Sequence, residues 1–244
     1  MKRGNPNTWL KARAAEEIEW YLSSADVIVV ERKRSIRLLG ELFAHHFSEP
    51  AGLRVLDLGG GDGLVTEYFS NQYPRNDFCL MDGSVAMLDQ AKARLKGRPI
   101  RFVEKSFEAY AQKGLDPDGY DFIFSSMAIH HLPLKEKGAL YARVHRELRG
   151  NGLFLVFDVV APVSPKSERL QFRMWVDWMN EALRRSNFAG EVGKFDGFPA
   201  VYKAKAENHP SRLLDQLDQL KKAGFKNVDC FFKYGIFSLF GGTK

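Results

Sequence analysis

Two rhythms of apolar and polar positions alternate along this chain. From Arg54 onward, short apolar runs of strand length are separated by stretches whose apolar residues recur three and four apart, the spacing of a buried helix face. Arg54 to Leu58, Phe78 to Asp82, Ile100 to Glu104 and Tyr120 to Ser125 read as strands. Between and after them, Val85 to Leu95 and Lys135 to Leu148 read as helices, the first with Ser84 as its N-cap. Gly150-Asn151-Gly152 marks a turn, and Leu153 to Phe157 is apolar at every position, as a strand buried on both faces would be. The chain closes with an amphipathic helix, Leu213 to Ala223, a Gly224 stop, and two strands around Gly235: Val228 to Tyr234 and Ile236 to Phe240. Strand and helix in alternation predict an α/β fold, with a parallel sheet covered by helices on both sides.

Two segments depart from that rhythm. In the first 50 residues, Ala12 to Leu22 reads as a helix with Trp9, Ile18, Trp20 and Leu22 as apolar contacts, and Val27 to Val30 reads equally as strand or helix. Ile36, Leu39, Leu42, Phe43 and Phe47 then define a core-facing helix that ends before Pro50. This part is expected to form a helical cap beside the sheet. Residues 160–210 form the second departure. A helix from Lys166 to Arg185 carries Trp175 and Trp178, and a loop rich in Gly and Phe follows from Gly190 to Pro199. An insertion of this kind covers a ligand pocket in many α/β enzymes, so Trp175, Trp178, Phe195 and Phe198 are expected in a lid. One domain over residues 1–244 accounts for the whole, since 244 residues bury a full core.

Composition adds limits. No apolar h-region follows the basic start, and the longest apolar stretch, Leu153 to Val163, is broken by Asp158 and too short to span a bilayer. Cys79 and Cys230 lack metal-ligand spacing and read as reduced residues of a cytoplasmic protein. The net charge of +6 permits contact with RNA, but the basic residues are scattered and RNA is not favoured. The dense patches Arg32-Lys33-Arg34 and Arg184-Arg185 read as solvated helix faces. A homodimer stays open.

The chemistry gathers after the first strand, where Val55-Leu56-Asp57-Leu58 runs into Gly59-Gly60-Gly61-Asp62-Gly63. A strand, a glycine turn and a helix N-terminus form the place where α/β proteins hold nucleotides. The glycines follow G-x-G-x-G, and Leu64 stands where a dinucleotide fold has its third glycine, which argues against an NAD-dependent dehydrogenase. Asp57 would repel a pyrophosphate but attract a cationic group. Asp82, 21 residues after Gly61 at the end of the second strand, is placed to accept hydrogen bonds from ribose hydroxyls.

These residues resemble motif I of the class I S-adenosylmethionine (SAM)-dependent methyltransferases. Asp82-Gly83-Ser84-Val85-Ala86-Met87-Leu88 is similar to that family's D-x-S-x-x-M-L, in which the methionine flanks the adenine. Tyr120 to Leu132 resembles the segment after its fourth strand. Leu148 to Gly152 and Ala223-Gly224-Phe225 resemble two later motifs. The resemblance implies a Rossmann-like three-layer sandwich: a seven-stranded, mostly parallel sheet with an antiparallel C-terminal hairpin, plus a helical lid. It implies SAM as cofactor, with S-adenosylhomocysteine (SAH) as product. Asp57, Gly59, Gly60, Gly61, Asp82, Gly83, Met87, Ser126 and Met127 would be cofactor-binding. Ser106 and Phe107 stand where the family usually has an acid for the adenine amine, and are expected to contact that ring. His131 is the candidate base and Asp158, ending the fifth strand, a candidate substrate contact. Adjacent histidines cannot easily converge on one ion, so no metal is expected.

Methyl transfer to a small molecule is the activity these motifs imply. The C-terminal segment also looks like the carboxy-SAM synthases of tRNA modification, which hold the extra carboxylate with an arginine. Here Pro199 to Lys203 offers a lysine instead. A non-catalytic SAM-binding regulator or scaffold is the alternative of a different class.

Overall fold

The computed structural model describes residues 15–186 and 189–244; Trp9 and the start of the first expected helix lie outside them. Two helices come first, α1 (Ala15–Ile28) and α2 (Arg32–His46). The apolar run at Val27 is thus the end of a helix. Glu31, in left-handed backbone, turns the chain between the two.

From there strand and helix alternate: β1 (Arg54–Leu58), α3 (Leu64–Gln72), β2 (Asp77–Asp82), α4 (Val85–Arg94), β3 (Ile100–Glu104), α5 (Phe107–Lys113), β4 (Tyr120–Ser126), α6 (Leu134–Glu147) and β5 (Leu148–Val159). The seven strands form one sheet in the order β3-β2-β1-β4-β5-β7-β6. The first five run parallel. The hairpin of β6 (Lys226–Tyr234) and β7 (Phe237–Thr243) inserts β7 antiparallel against β5. Strand order reverses between β1 and β4, opening a crevice at their carboxyl ends.

Period-two alternation assigns each strand's side chains to two apolar layers. Val55, Phe122, Phe124, Leu153, Leu155 and Phe157 pack with α2, α3 and the long helix α7 (Pro165–Arg185). Leu56, Leu58, Ile123, Phe154 and Val156 face the other way, onto α5, α6 and α9 (Leu213–Ala223). The central strands are buried on both faces, which is why their sequence reads as continuous apolar runs.

Two elements were not legible. A short helix, α8 (Phe198–Ala204), begins where the Gly- and Phe-rich loop ends, with Pro199 in its first turn. Helix α5 begins at Phe107 because Ser106 caps it, its Oγ accepting from the Ala109 N–H at 3.2 Å. The expected Gly150-Asn151-Gly152 turn is an irregular stretch within β5, with Asn151 at φ +62°. No helix among the described residues is long and apolar enough to cross a membrane.

Candidate active site

A cavity of about 1470 Å³, counting its open mouth, occupies the crevice above β1 and β4. Its floor is the glycine loop. The N–H groups of Gly59 and Gly60 both donate to the Met81 carbonyl, at 2.8 and 3.0 Å, which pins the loop to the end of β2. Gly59, Gly61 and Gly63 all have positive φ. Their surroundings differ. A Cβ on Gly59 would lie 2.6 Å from Ala128 Cβ and 2.8 Å from the Phe107 ring, whereas one on Gly61 would meet only Met87 Cε, at 3.4 Å. Gly59 is therefore needed by the fold, and Gly61 keeps space for a ligand.

This contrast is testable. Gly61→Ala is expected to fold with a loss of about 1–2 kcal/mol, the cost of an L-residue in left-handed backbone, and to bind cofactor about tenfold more weakly. Gly59→Ala is expected to melt well below it, because strain and overlap add. Thermal denaturation with and without SAH separates the two.

Three acids lie at the loop end. Asp82, 8% exposed, accepts from the Gly61 N–H at 2.9 Å on one oxygen and from the Ser84 N–H at 2.8 Å on the other. Asp62 is held by Arg94 at 2.6 Å. Asp57 is 2% exposed; Oδ2 accepts from the Thr66 hydroxyl at 2.6 Å, while buried Oδ1 has no hydrogen-bond partner. Burial pushes its carboxyl up to about 7, against the Thr66 hydrogen bond and with help from Asp82 and Asp62.

The wall beyond Met127 is built differently. Met127 follows β4 with φ +56°, its N–H held by the Phe157 carbonyl at 2.7 Å. Strained backbone of this kind persists where surrounding structure over-determines it. The short turn Ile129–His131 follows. His130, 6% exposed, is clamped to Asp158 twice: its backbone N–H donates to Oδ2 at 2.7 Å, and its ring Nδ1 lies 2.6 Å from Oδ1. A carboxylate facing Nδ1 fixes the proton there and turns Nε2 into the acceptor. His131 Nδ1 donates instead to the Glu207 carbonyl at 3.1 Å.

The structure thus sorts the sequence expectations. Asp57, Gly59, Gly60, Gly61, Asp82, Met87, Ser126, Met127 and His131 all line the cavity. Gly83, Ser106, Phe107 and Asp158 do not. The Ser106 hydroxyl is spent on the α5 cap, Phe107 packs beneath Gly59, and Asp158 stands behind His130. Trp175 and Phe198 reach the cavity, but Trp178 and Phe195 do not. Lys203 pairs with Glu168 at 2.5 Å on the surface.

Residues missed in the sequence are His130, Arg32, Tyr202, Lys205 and Asn208, all in the cavity wall. Arg32, expected on a solvated face, opens α2 beneath the mouth. Only the adjacency of two histidines hinted at His130, and nothing local separated it from His131.

Residues 55–152 match the family described as a methyltransferase domain. A carboxy-S-adenosyl-L-methionine synthase of Nautilia profundicola is 21% identical over 78% of this chain and 77% of its own length. A demethylmenaquinone methyltransferase of Chlamydia caviae is 29% identical over 64% of this chain and 67% of its own. Among solved structures, a Haemonchus contortus phosphoethanolamine N-methyltransferase 2 in complex with SAM superposes with a TM-score of 0.62 at 16% identity. It covers 94% of this chain and 46% of that one, and speaks to the fold. Motifs, sheet order and likenesses converge: residues 55–152 carry a methyltransferase domain, and together they support a class I SAM-dependent methyltransferase with SAM as cofactor.

Proposed function

We propose that this chain transfers the methyl group of SAM to a small-molecule acceptor whose proton is taken by His130. The observation that carries the reading is the joining, in one cavity, of the glycine loop with the His130–Asp158 pair. SAM supplies an electrophilic methyl on a sulfonium, displaced in line by a nucleophile. The residues present fit it. Asp57 Oδ1 is a buried acceptor without a donor, suited to a cationic group or a water bound to one. Asp82 lines the cavity beside Gly61, where a ribose would lie, Gly61 leaves room for close approach, and Met87, Ser126 and Met127 flank the remaining space.

His130 performs the acid–base work in this reading. Its Nδ1–H is committed to Asp158, so Nε2 accepts the acceptor's proton, and the buried carboxylate steadies the imidazolium that forms. Asp158 is a positioning residue. His131, expected as the base, secures the segment around Glu207. Helices α7 and α8 act as the lid over 160–210, and their aromatic residues exclude water and orient the acceptor. A macromolecular acceptor fits this less well, because His130 is only 6% exposed.

The test is native mass spectrometry of the purified protein, followed by incubation with methyl-labelled SAM and a small-molecule extract. Label leaving SAM for a small molecule, with SAH accumulating, is expected. Failure to take up added SAM would sink the cofactor assignment. Copurified carboxy-SAM would move the chain to the activity its synthase relatives are named for, and SAM held without label transfer would make it a binding protein.

A further inference from the structure

Behind the cavity lies a lysine that the transfer does not touch. Lys137, in the first turn of α6, is fully buried. Its Nζ donates to the His209 carbonyl at 2.7 Å and to the Ser211 hydroxyl at 2.9 Å. Both acceptors are neutral, so neither bond cancels the charge of the ammonium. Asp158, 2% exposed, is the mirror case. Its donors are the N–H groups of His130 and Val159 and the His130 ring. While the imidazole is neutral, none of these cancels the carboxylate.

A short strap brings the two charges together. Residues 209–211 accept from Lys137, and the His209 N–H donates to the His130 carbonyl at 2.7 Å. The Ser211 carbonyl accepts from the N–H of Ala161, just past β5, at 3.0 Å. One segment therefore touches the ammonium, the base and the chain that follows Asp158. Tyr141, one turn further along α6, is buried on the same side. Burial, with the Asp158 charge adding to it, pushes its phenol up. Burial pushes the Lys137 ammonium down to about 8, and the Asp158 carboxylate opposes that fall. Cation and anion thus hold each other ionised at neutral pH.

This balance bears on the base. A buried carboxylate with no counter-ion draws a proton onto the imidazole beside it, and a ring already protonated takes none from an acceptor. Resting on the reading of His130 as the base, we propose that Lys137 is the resident counter-ion of Asp158 and a positioning residue for methyl transfer, its charge keeping His130 neutral between turnovers. The carboxylate still orients the ring and holds Nδ1–H by direct hydrogen bonds, while the ammonium offsets its pull on a second proton. The other titratable groups around the pair are His131 beside His130, Tyr141 on α6, Tyr202 on α8 and His209 on the strap. On the cavity side stand Asp57, Asp62, Asp82, Arg32 and Lys205. All of them are retained when Lys137 is replaced, so the difference between variant and wild type reads the lysine.

NMR of the histidine ring signals of the full chain tests this, with His130 assigned by its absence from the His130→Gln spectrum. In Lys137→Met the His130 signal is expected to titrate about one pH unit or more above its wild-type position, as loss of a neighbouring like charge provides. Lys137→Gln keeps a donor for the strap but carries no charge, and should move the signal as far. With the acceptor that the labelling experiment identifies, turnover of both variants should fall severalfold at about pH 7 and recover by about pH 9. A loosened strap would depress it at every pH. SAH binding by each variant is the check on fold. The pair is also read from its other member, without any lysine substitution. In Asp158→Asn the Lys137 ε-methylene signal should titrate about one pH unit or more below the wild-type value of about 8. A His130 signal unmoved in both lysine variants, Lys137→Gln behaving as wild type beside a shifted Lys137→Met, or a Lys137 signal unmoved by Asp158→Asn overturns the inference and leaves the base reading standing. Full turnover by His130→Gln, or failure of the wild-type protein to bind SAH, overturns the reading beneath it.

Discussion

His130→Gln is expected to lower kcat by about 10²- to 10⁴-fold, the range of a positioned general base, with SAM affinity unchanged. Glutamine preserves the hydrogen bond to Asp158 but offers no nitrogen that can take a proton. Asp158→Asn is expected to lose nearly as much, for another reason. Asp158 accepts from the His130 backbone N–H, the His130 ring and the Val159 N–H. An amide there presents an NH₂ to one of those donors, and the imidazole escapes the clash by moving its proton to Nε2. The base is then in the wrong tautomer, although every atom stays in place. Because both substitutions disable one device, the double variant should be no slower than His130→Gln. Steady-state rates with the acceptor that the labelling experiment identifies, together with SAM binding, decide this. An Asp158→Asn protein near wild-type activity would remove the dyad from the mechanism.

The second large effect concerns cofactor affinity and its pH dependence. Burial pushes the Asp57 carboxyl up to about 7 in the folded protein, from the 3.8 of a free aspartate. Between those values the folded protein binds more protons than the unfolded chain, so this group's contribution to stability falls as pH rises from 4 to 7. A ligand that brings positive charge to Asp57 favours the ionised carboxylate. Binding SAH or SAM should therefore release a proton near pH 6, and affinity should fall about tenfold per pH unit below 7. Asp57→Asn should flatten that dependence and weaken binding at pH 8 by about 10- to 100-fold, the 1.5–3 kcal/mol of a hydrogen bond to a charged group. The ligand-free variant should melt no lower than wild type at pH 8, because a buried unpaired charge is gone. Calorimetry in buffers of different ionisation enthalpy measures the proton release. Wild-type affinity flat from pH 5 to 8 would detach Asp57 from the cofactor.

The layers of the fold were legible because they follow from local rules. Apolar runs such as Leu153 to Phe157 can only be satisfied between two layers of helices, and the glycine run after β1 leaves few other turns. The cavity floor was legible for the same reason, since Asp57, Gly61 and Asp82 sit at fixed offsets from strand ends. The acceptor side was not. His130 and Asp158 are 28 residues apart, and their pairing depends on β4 and β5 lying side by side in register. Tyr202 and Lys205 owe their place to a seven-residue helix that no periodicity announced. Ser106 is an ambiguous signal because a serine before an apolar residue serves equally as a ligand contact and as an N-cap, and here it caps α5.

The Trp175 indole N–H donates to the carbonyl of Ile28 at 2.7 Å, joining α7 to the last turn of α1. Both helices contribute walls to the cavity, so this one bond crosses the seam between them. Parting these two walls would cost that hydrogen bond and the apolar contacts that Ile28 and Trp175 share in the core. The same indole would report each opening as a change in its own fluorescence.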